Sequence, residues 1–588
     1  MSAEFEKLWK PVQENQEDFN SWTYLLQHAE QENSVPAARK AFDAFLARYP
    51  YCYGYWKKYA DVEKKRGNIL ESDEVFRRGI QAITLSVDLW MSYLNFLKET
   101  LDPADPETSV TLRGTFEHGV MSAGLDFRSD KLWEMYINWE TEQENLSGVT
   151  TIYSRLLSVP TQYYNNHFQK FKEHIQGNLP RKILTDEKFM ELRKELASAS
   201  EHGGSDIPSD LEEIADPAKR TTEIENMRHR IIEVHQELFS LNEHEVTKRW
   251  SFEEGIKRPY FHVKPLEKAQ LSNWREYLDY ELENGSHERI VILFERCVIA
   301  CALYEEFWIK YANYMEKHSA DGVRHVYNRA CNIHLLKKPQ AHVLWAAFEE
   351  QHDNVDEARR ILQTLEELVG DLAMIRLRRV NLERRHGNLK EAENLLTQAM
   401  KNAKSNGEHS FYAIKLARHL FKVHKDLEKA RVVLSDAIAR DKDNAKLYLN
   451  ILEIEFNGDL KQNEVNILSV FDRAIKSSMP LATRVTFSQR KVEFLEDFGF
   501  NINRLLVAYN EHQKILKEQD TQKRKAENGL EQPDTKRSHV EESSATGVPS
   551  AMPQAAPGSY NYANWYQYNY QNYPNTWNYG QYYNAPST

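Results

Sequence analysis

Trp22, Trp56 and Trp90 stand 34 residues apart, and so do Trp274 and Trp308. Trp133 follows Trp90 after 43 residues and Trp345 follows Trp308 after 37, so the period tolerates short insertions. A period of this length marks a repeat protein, in which each unit is too small to bury its own apolar stripe and must stack on its neighbours. Seven of the 12 tryptophans belong to this series, and they serve as repeat markers.

A local pattern returns with the marker: Trp56, Tyr59, Glu63; Trp133, Tyr136, Glu140; Trp274, Tyr277, Glu281. Positions i, i+3 and i+7 share one face of an α-helix, so W-x-x-Y-x-x-x-E predicts an amphipathic helix, here called A. A second signature, apolar, aromatic, any residue, Arg, small residue, follows in "VFRRG" (75–79), "IYSRL" (152–156), "LFERC" (293–297), "VYNRA" (326–330) and "VFDRA" (470–474). Its arginine lies 22 residues after the tryptophan in three repeats, the span of a second helix, B, beyond a turn. Breakers and polar caps such as "RGN" (66–68) and "HGN" (386–388) separate A from B. Beyond Trp345 the tryptophan is lost but "LKEAENLLTQA" and "LEKARVVLSDA" keep the rhythm of B helices.

The prediction is an all-α solenoid of antiparallel hairpins. It divides into an N-terminal array over 1–175, a charged insertion with a helix over 176–245, a C-terminal array over 246–516 and a tail over 517–588. The stretch "ASASEHGGSDIPSDLEEIADPAK", rich in Ser, Gly, Pro and acid, reads as an exposed loop separating two lobes. In KLWEMYINWE (131–140), Trp133 and Tyr136 read as a wedge between hairpins, and Arg155 as the partner of the Glu140 carboxylate.

Charge and chemistry narrow the function. The net charge of −12 argues against a surface that coats nucleic acid, so any such contact is local. The best local candidate is 248–268, where Lys248, Arg249, Lys257, Arg258 and Lys264 interleave with aromatics including Tyr260. The competing reading docks those rings on the next repeat. Four cysteines form no disulfide framework, and no apolar run is long enough for a membrane helix. Cys297, Cys301, Cys331 and His334 could formally hold zinc, but the cysteines occupy small-residue positions of B helices and read as packing; no metal or cofactor is expected. No nucleotide-binding loop, metalloprotease or hydrolase motif occurs, so the chain reads as non-catalytic.

The two helix signatures at this period resemble the HAT (half-a-TPR) repeat family, and lack the Leu-Gly pair of ordinary tetratricopeptide repeats. The resemblance implies RNA processing. The segment "EEGIKRPYFHVKPLEKAQLSNWREYLDYE" (253–281) and the tyrosine-rich end are similar to those of splicing scaffolds within that family. This implies association with proteins of the U1 snRNP at the 5′ splice site, and a homodimer made through the C-terminal repeats. The alternatives are a HAT scaffold of pre-mRNA 3′-end cleavage and an RNA-binding repeat protein.

Two basic clusters, Lys523, Arg524, Lys525 and then Lys536, Arg537, are spaced as in a bipartite nuclear-import signal, which places the chain in the nucleus. The last 46 residues carry no charge and alternate aromatics with Asn and Gln. Such a composition predicts a disordered tail that favours contact with proteins over RNA, since it lacks cations to neutralise phosphates.

Overall fold

In the computed structural model, which describes residues 2–32, 34–199, 208, 210–370 and 372–528, each tryptophan of the series sits within a helix. The A helices are Phe19–Gln31, Tyr53–Lys65, Val87–Thr100, Asp130–Glu142, Lys268–Asn284, Glu305–Glu316 and Pro339–Gln351. The B helices that follow are Val35–Arg48, Ile69–Ala82, Pro106–Ala123, Leu146–Leu156, His287–Ala300, Ala320–Arg329 and Val355–Val369. No strand occurs among the described residues, and the chain is an all-α stack of helical hairpins. None of its described helices is long and apolar enough to cross a membrane.

The chain forms two compact units, Met1–Ala341 and His342–Thr588. In the first, the N-terminal hairpins pack against residues 256–337. Arg48 donates to the Ile333 carbonyl at 2.6 Å, and Tyr51 stacks on His334 with ring centres 4.3 Å apart. Tyr49 meets Phe261 at 6.1 Å. His334 ends a π-helical turn, Ala330–His334, that prolongs the helix Ala320–Arg329. In the second unit a continuous core runs from Ala373 to Ala508 through the repeats that lack tryptophan.

Within the separator, residues 210–216 are not helical, and most of 200–209 lies outside the described residues. Residues Asp186–Ala199 form a helix, and Pro217–Gly255 form one helix of 39 residues. Arg193 joins the two: its guanidinium pairs with Glu223 at 2.7 and 3.0 Å and also reaches the Glu212 carbonyl at 3.0 Å. The long helix lies along Tyr164–Gly177, with Phe239 stacked on Phe168 at 4.5 Å and Asn242 donating to the Val159 carbonyl at 3.0 Å.

Candidate partner-binding surface

All seven marker tryptophans are buried, none more than 4% exposed. Five of the indoles latch the loop before their A helix: Trp22 donates to the Gln16 carbonyl at 3.0 Å, Trp56 to Pro50 at 2.9 Å, Trp90 to Thr84 at 2.8 Å, Trp133 to Gly124 at 3.0 Å and Trp308 to Ala302 at 2.9 Å, whereas Trp345 donates to Glu349 in its own helix at 3.3 Å. The B-helix arginine covers the same ring, at 5.5 Å for Arg78 over Trp56, 5.4 Å for Arg155 over Trp133 and 5.5 Å for Arg329 over Trp308.

In four A helices the tyrosine stacks closely on an aromatic of the preceding helix. The pairs are Phe42–Tyr59, Phe116–Tyr136, Phe252–Tyr277 and Phe294–Tyr311, with ring centres 4.8–5.0 Å apart and planes within 10°. An acid directly follows that aromatic, and it accepts two donors from the next repeat. Glu117 takes the Tyr136 hydroxyl at 2.7 Å and Arg155 at 2.9 Å; Glu253 takes Tyr277 at 2.7 Å and Arg296 at 2.7 Å; Glu295 takes Tyr311 at 2.7 Å and Arg329 at 2.8 Å. Burial together with the facing carboxylate pushes each of these tyrosines well above its ordinary value.

The A-helix glutamate has a separate partner. Glu140 pairs with Arg113 at 2.6 and 3.1 Å, and Arg155 pairs with Glu117, which corrects the expected Glu140–Arg155 pair. Glu63 is held likewise by Arg39 at 2.7 and 3.0 Å, and Glu383 by Arg359 at 2.6 and 3.2 Å. Arg249 binds Glu281 through its Nε alone. An asparagine five residues after the glutamate completes the site, as in Asn68 on Glu63 at 2.8 Å, Asn145 on Glu140 at 2.9 Å and Asn388 on Glu383 at 2.7 Å. Burial alone would raise the Glu63 carboxyl, but hydrogen bonds from Arg39 and Asn68 hold it below its ordinary value. Sequence reasoning missed this face. Its signal is R-x-x-F-[D/E], as in Arg39-Phe42-Asp43, Arg113-Phe116-Glu117 and Arg249-Phe252-Glu253, where positions i, i+3 and i+4 meet the next A helix.

The 248–268 segment splits between the two readings. Arg249 is buried and committed to Glu281 and Glu245. Arg258 is half-buried and donates to the Lys264 carbonyl at 2.7 Å. Lys248, Lys257, Tyr260 and Lys264 are exposed, although Lys248 has Glu245 at 3.1 Å. Trp250 sits edge-on to Phe127 at 5.9 Å. His334 lies buried between Tyr51 and the Trp308 ring at 5.4 Å, and among the described residues no three His, Cys, Asp or Glu side chains gather as a metal site would need.

At the other end of the chain, Phe498, Phe500, Ile502, Leu506, Val507 and Tyr509 are all about half exposed or more, a band of apolar side chains where the helix Ile502–Asn528 begins. Lys523, Arg524 and Lys525 are exposed near the end of that helix. Lys536, Arg537 and the tyrosine-rich tail lie outside the described residues.

Comparison with known proteins gives a consistent result. Residues 6–173 match the family profile described as PRP39 N-terminal HAT repeat, and 247–385 match PRP39 C-terminal HAT repeat. The Pre-mRNA-processing factor 39 of Xenopus laevis is 74% identical over the whole chain, which covers 92% of that protein. That of Homo sapiens is 67% identical over the whole chain, covering 88% of it. A Saccharomyces cerevisiae protein described as U1 small nuclear ribonucleoprotein component PRP42 is 21% identical over 57% of the chain and 59% of its own length.

Proposed function

The chain belongs to the pre-mRNA-processing factor 39 family of HAT-repeat splicing factors, a non-enzymatic type of protein, and on that premise we propose that it is a nuclear scaffold binding protein components of the U1 snRNP. In that role it supports recognition of the 5′ splice site. The observation that carries this reading is the similarity to a yeast protein described as a component of the U1 particle. The geometry is consistent with it: the motif side chains are spent on holding repeat to repeat, so partners must be met by exposed residues between and beyond those ladders.

Two further assignments accompany the proposal. The exposed apolar band from Phe498 to Tyr509 supports the C-terminal array as the homodimer surface, since side chains of this size left in water favour a partner. Lys523, Arg524, Lys525, Lys536 and Arg537 direct the chain to the nucleus. Lys248, Lys257, Arg258, Tyr260 and Lys264 remain the local candidates for RNA or partner contact, and Arg249 serves structure.

Affinity purification of the tagged full chain from nuclear extract, with and without ribonuclease, tests the reading. U1 snRNP proteins are expected to stay bound after ribonuclease. Recovery of 3′-end cleavage factors in their place would make the chain a cleavage scaffold, and complete loss of partners with ribonuclease would make it an RNA-binding repeat protein.

A further inference from the structure

In the second unit a groove of 790 Å³ opens between the helices Leu427–Arg440, Ala445–Phe456, Leu460–Ile475 and the start of Ile502–Asn528. Its apolar lining is Ile438, Tyr448, Val465 and Leu468, of which Val465 and Leu468 reach the surface. Its rim is basic, from Lys442, Arg473, Lys476 and Arg504. The acids in and around it are engaged elsewhere. Asp472, on the rim, is bound by Lys491 at 2.6 Å, and Glu464 takes Arg504 at 2.8 Å. Asp441 accepts from Ser410 and Asn444, both at 2.9 Å, and Asp443 accepts the Ser478 amide at 2.9 Å. Among the described residues, no ion pair engages Lys442, Arg473 or Lys476 at the groove, on a chain whose net charge is −12.

We propose that this groove binds a short acidic segment of a protein partner, with aliphatic side chains seated on Val465 and Leu468 and carboxylates on Lys442, Arg473 and Lys476. Volume and chemistry fit: pockets for small ligands or side chains run to several hundred Å³, apolar within and polar at a few fixed points. Charge complementarity selects an acidic occupant and sets its salt dependence. RNA fits less well, because single-strand sites need exposed aromatic faces for bases. The one ring here, Tyr448, is buried at 2% exposure with its hydroxyl donated to the Lys442 carbonyl at 2.8 Å.

The inference deepens the scaffold reading and rests on it for a protein partner. Its test uses the full chain and a fluorescein-labelled peptide alternating glutamate with leucine, read by fluorescence anisotropy. The peptide is expected to bind, and Arg473→Glu with Lys476→Glu to weaken it by about tenfold or more. Lys390→Glu with Lys401→Glu, exposed charges on another repeat of the same unit, should leave binding unchanged. Equal weakening by both double variants means diffuse charge attraction and overturns the proposal. So does a labelled oligouridylate that binds more tightly than the peptide and is lost in the groove variant, which would make the occupant RNA. A groove variant whose mass by light scattering falls to the monomer while peptide binding holds would make the occupant a second copy, and also overturns it. A chain that retains its U1 proteins in extract but ignores the peptide fails the groove alone.

Discussion

Arg78 and Arg296 hold the same place in their repeats, but their surroundings differ. Arg296 and Glu253 have side chains only 9% and 1% exposed, whereas Arg78 and Asp43 are 40% and 47% exposed. Removing one member of a buried pair strands the other charge, so Arg296→Ala should cost ~3–5 kcal/mol. Arg78→Ala, in a solvent-screened pair, should cost about 1 kcal/mol or less. Equal losses in urea unfolding would show that burial does not set the value of this position. Trp133→Ala empties an aromatic core site and should cost ~3–5 kcal/mol, seen as a lower melting temperature. A variant with unchanged melting and lost partner binding would make Trp133 a contact residue. Histidines set the pH response: burial pushes His334 down to about 3 and His174 down to about 4, and lowers His235, His409 and His419. Below about pH 6.5 the unfolded chain takes protons that these folded rings refuse, so stability falls as pH falls, by about 2 kcal/mol for His334 alone at pH 5. Carboxylates such as Glu63 and Glu383, held below their ordinary values by arginine, keep their contribution until pH drops below about 4.5 and lose it beneath that. Thermal melts from pH 7 to pH 5 that show no fall would reject the histidine part.

Turns between A and B show what the sequence displayed and what it withheld. The breakers "RGN" and "HGN" were legible as turns. Their shared construction was not, because it spans three side chains: a glutamate, an asparagine five residues on, and a left-handed residue just before the asparagine. That residue is Gly67, Glu144, Asp353 or Gly387, with φ of 79°, 57°, 59° and 79°. Nothing crowds a Cβ at Gly387, so Gly387→Ala should cost only the left-handed backbone penalty, ~1–2 kcal/mol by denaturant unfolding. No loss would mean that the turn readily changes its backbone. The helices themselves were legible, since W-x-x-Y-x-x-x-E puts its three residues on one face. The partner of Glu140 was not, because Arg113 and Arg155 both lie on neighbouring helices and only the stacking of Tyr136 on Phe116 decides between them.

Across the whole molecule, the repeat period made the fold class readable and left the packing of the repeats on one another unread. Arg48, Tyr51 and Phe261 meet residues far from them in sequence, and no local pattern encodes that closure. If the proposed homodimer uses the exposed apolar residues of the C-terminal array, Leu506→Asp with Val507→Asp should turn a dimer into a monomer in light scattering without lowering the melting temperature of the chain. A wild-type chain that is monomeric at micromolar concentration would remove the dimer. The R-x-x-F-[D/E] face has a consequence for how such a chain is made and cut. Its arginine and its acid, as in Arg113 and Glu117, grip opposite groups of the following repeat, Glu140 and Arg155. They also stand one helical turn apart, within reach of each other. While a ribosome has yet to deliver the next hairpin, or after a protease has removed it, the last B helix can neutralise its own two charges. The three boundaries that carry the motif are thus places where the chain can stop without leaving a bare ion.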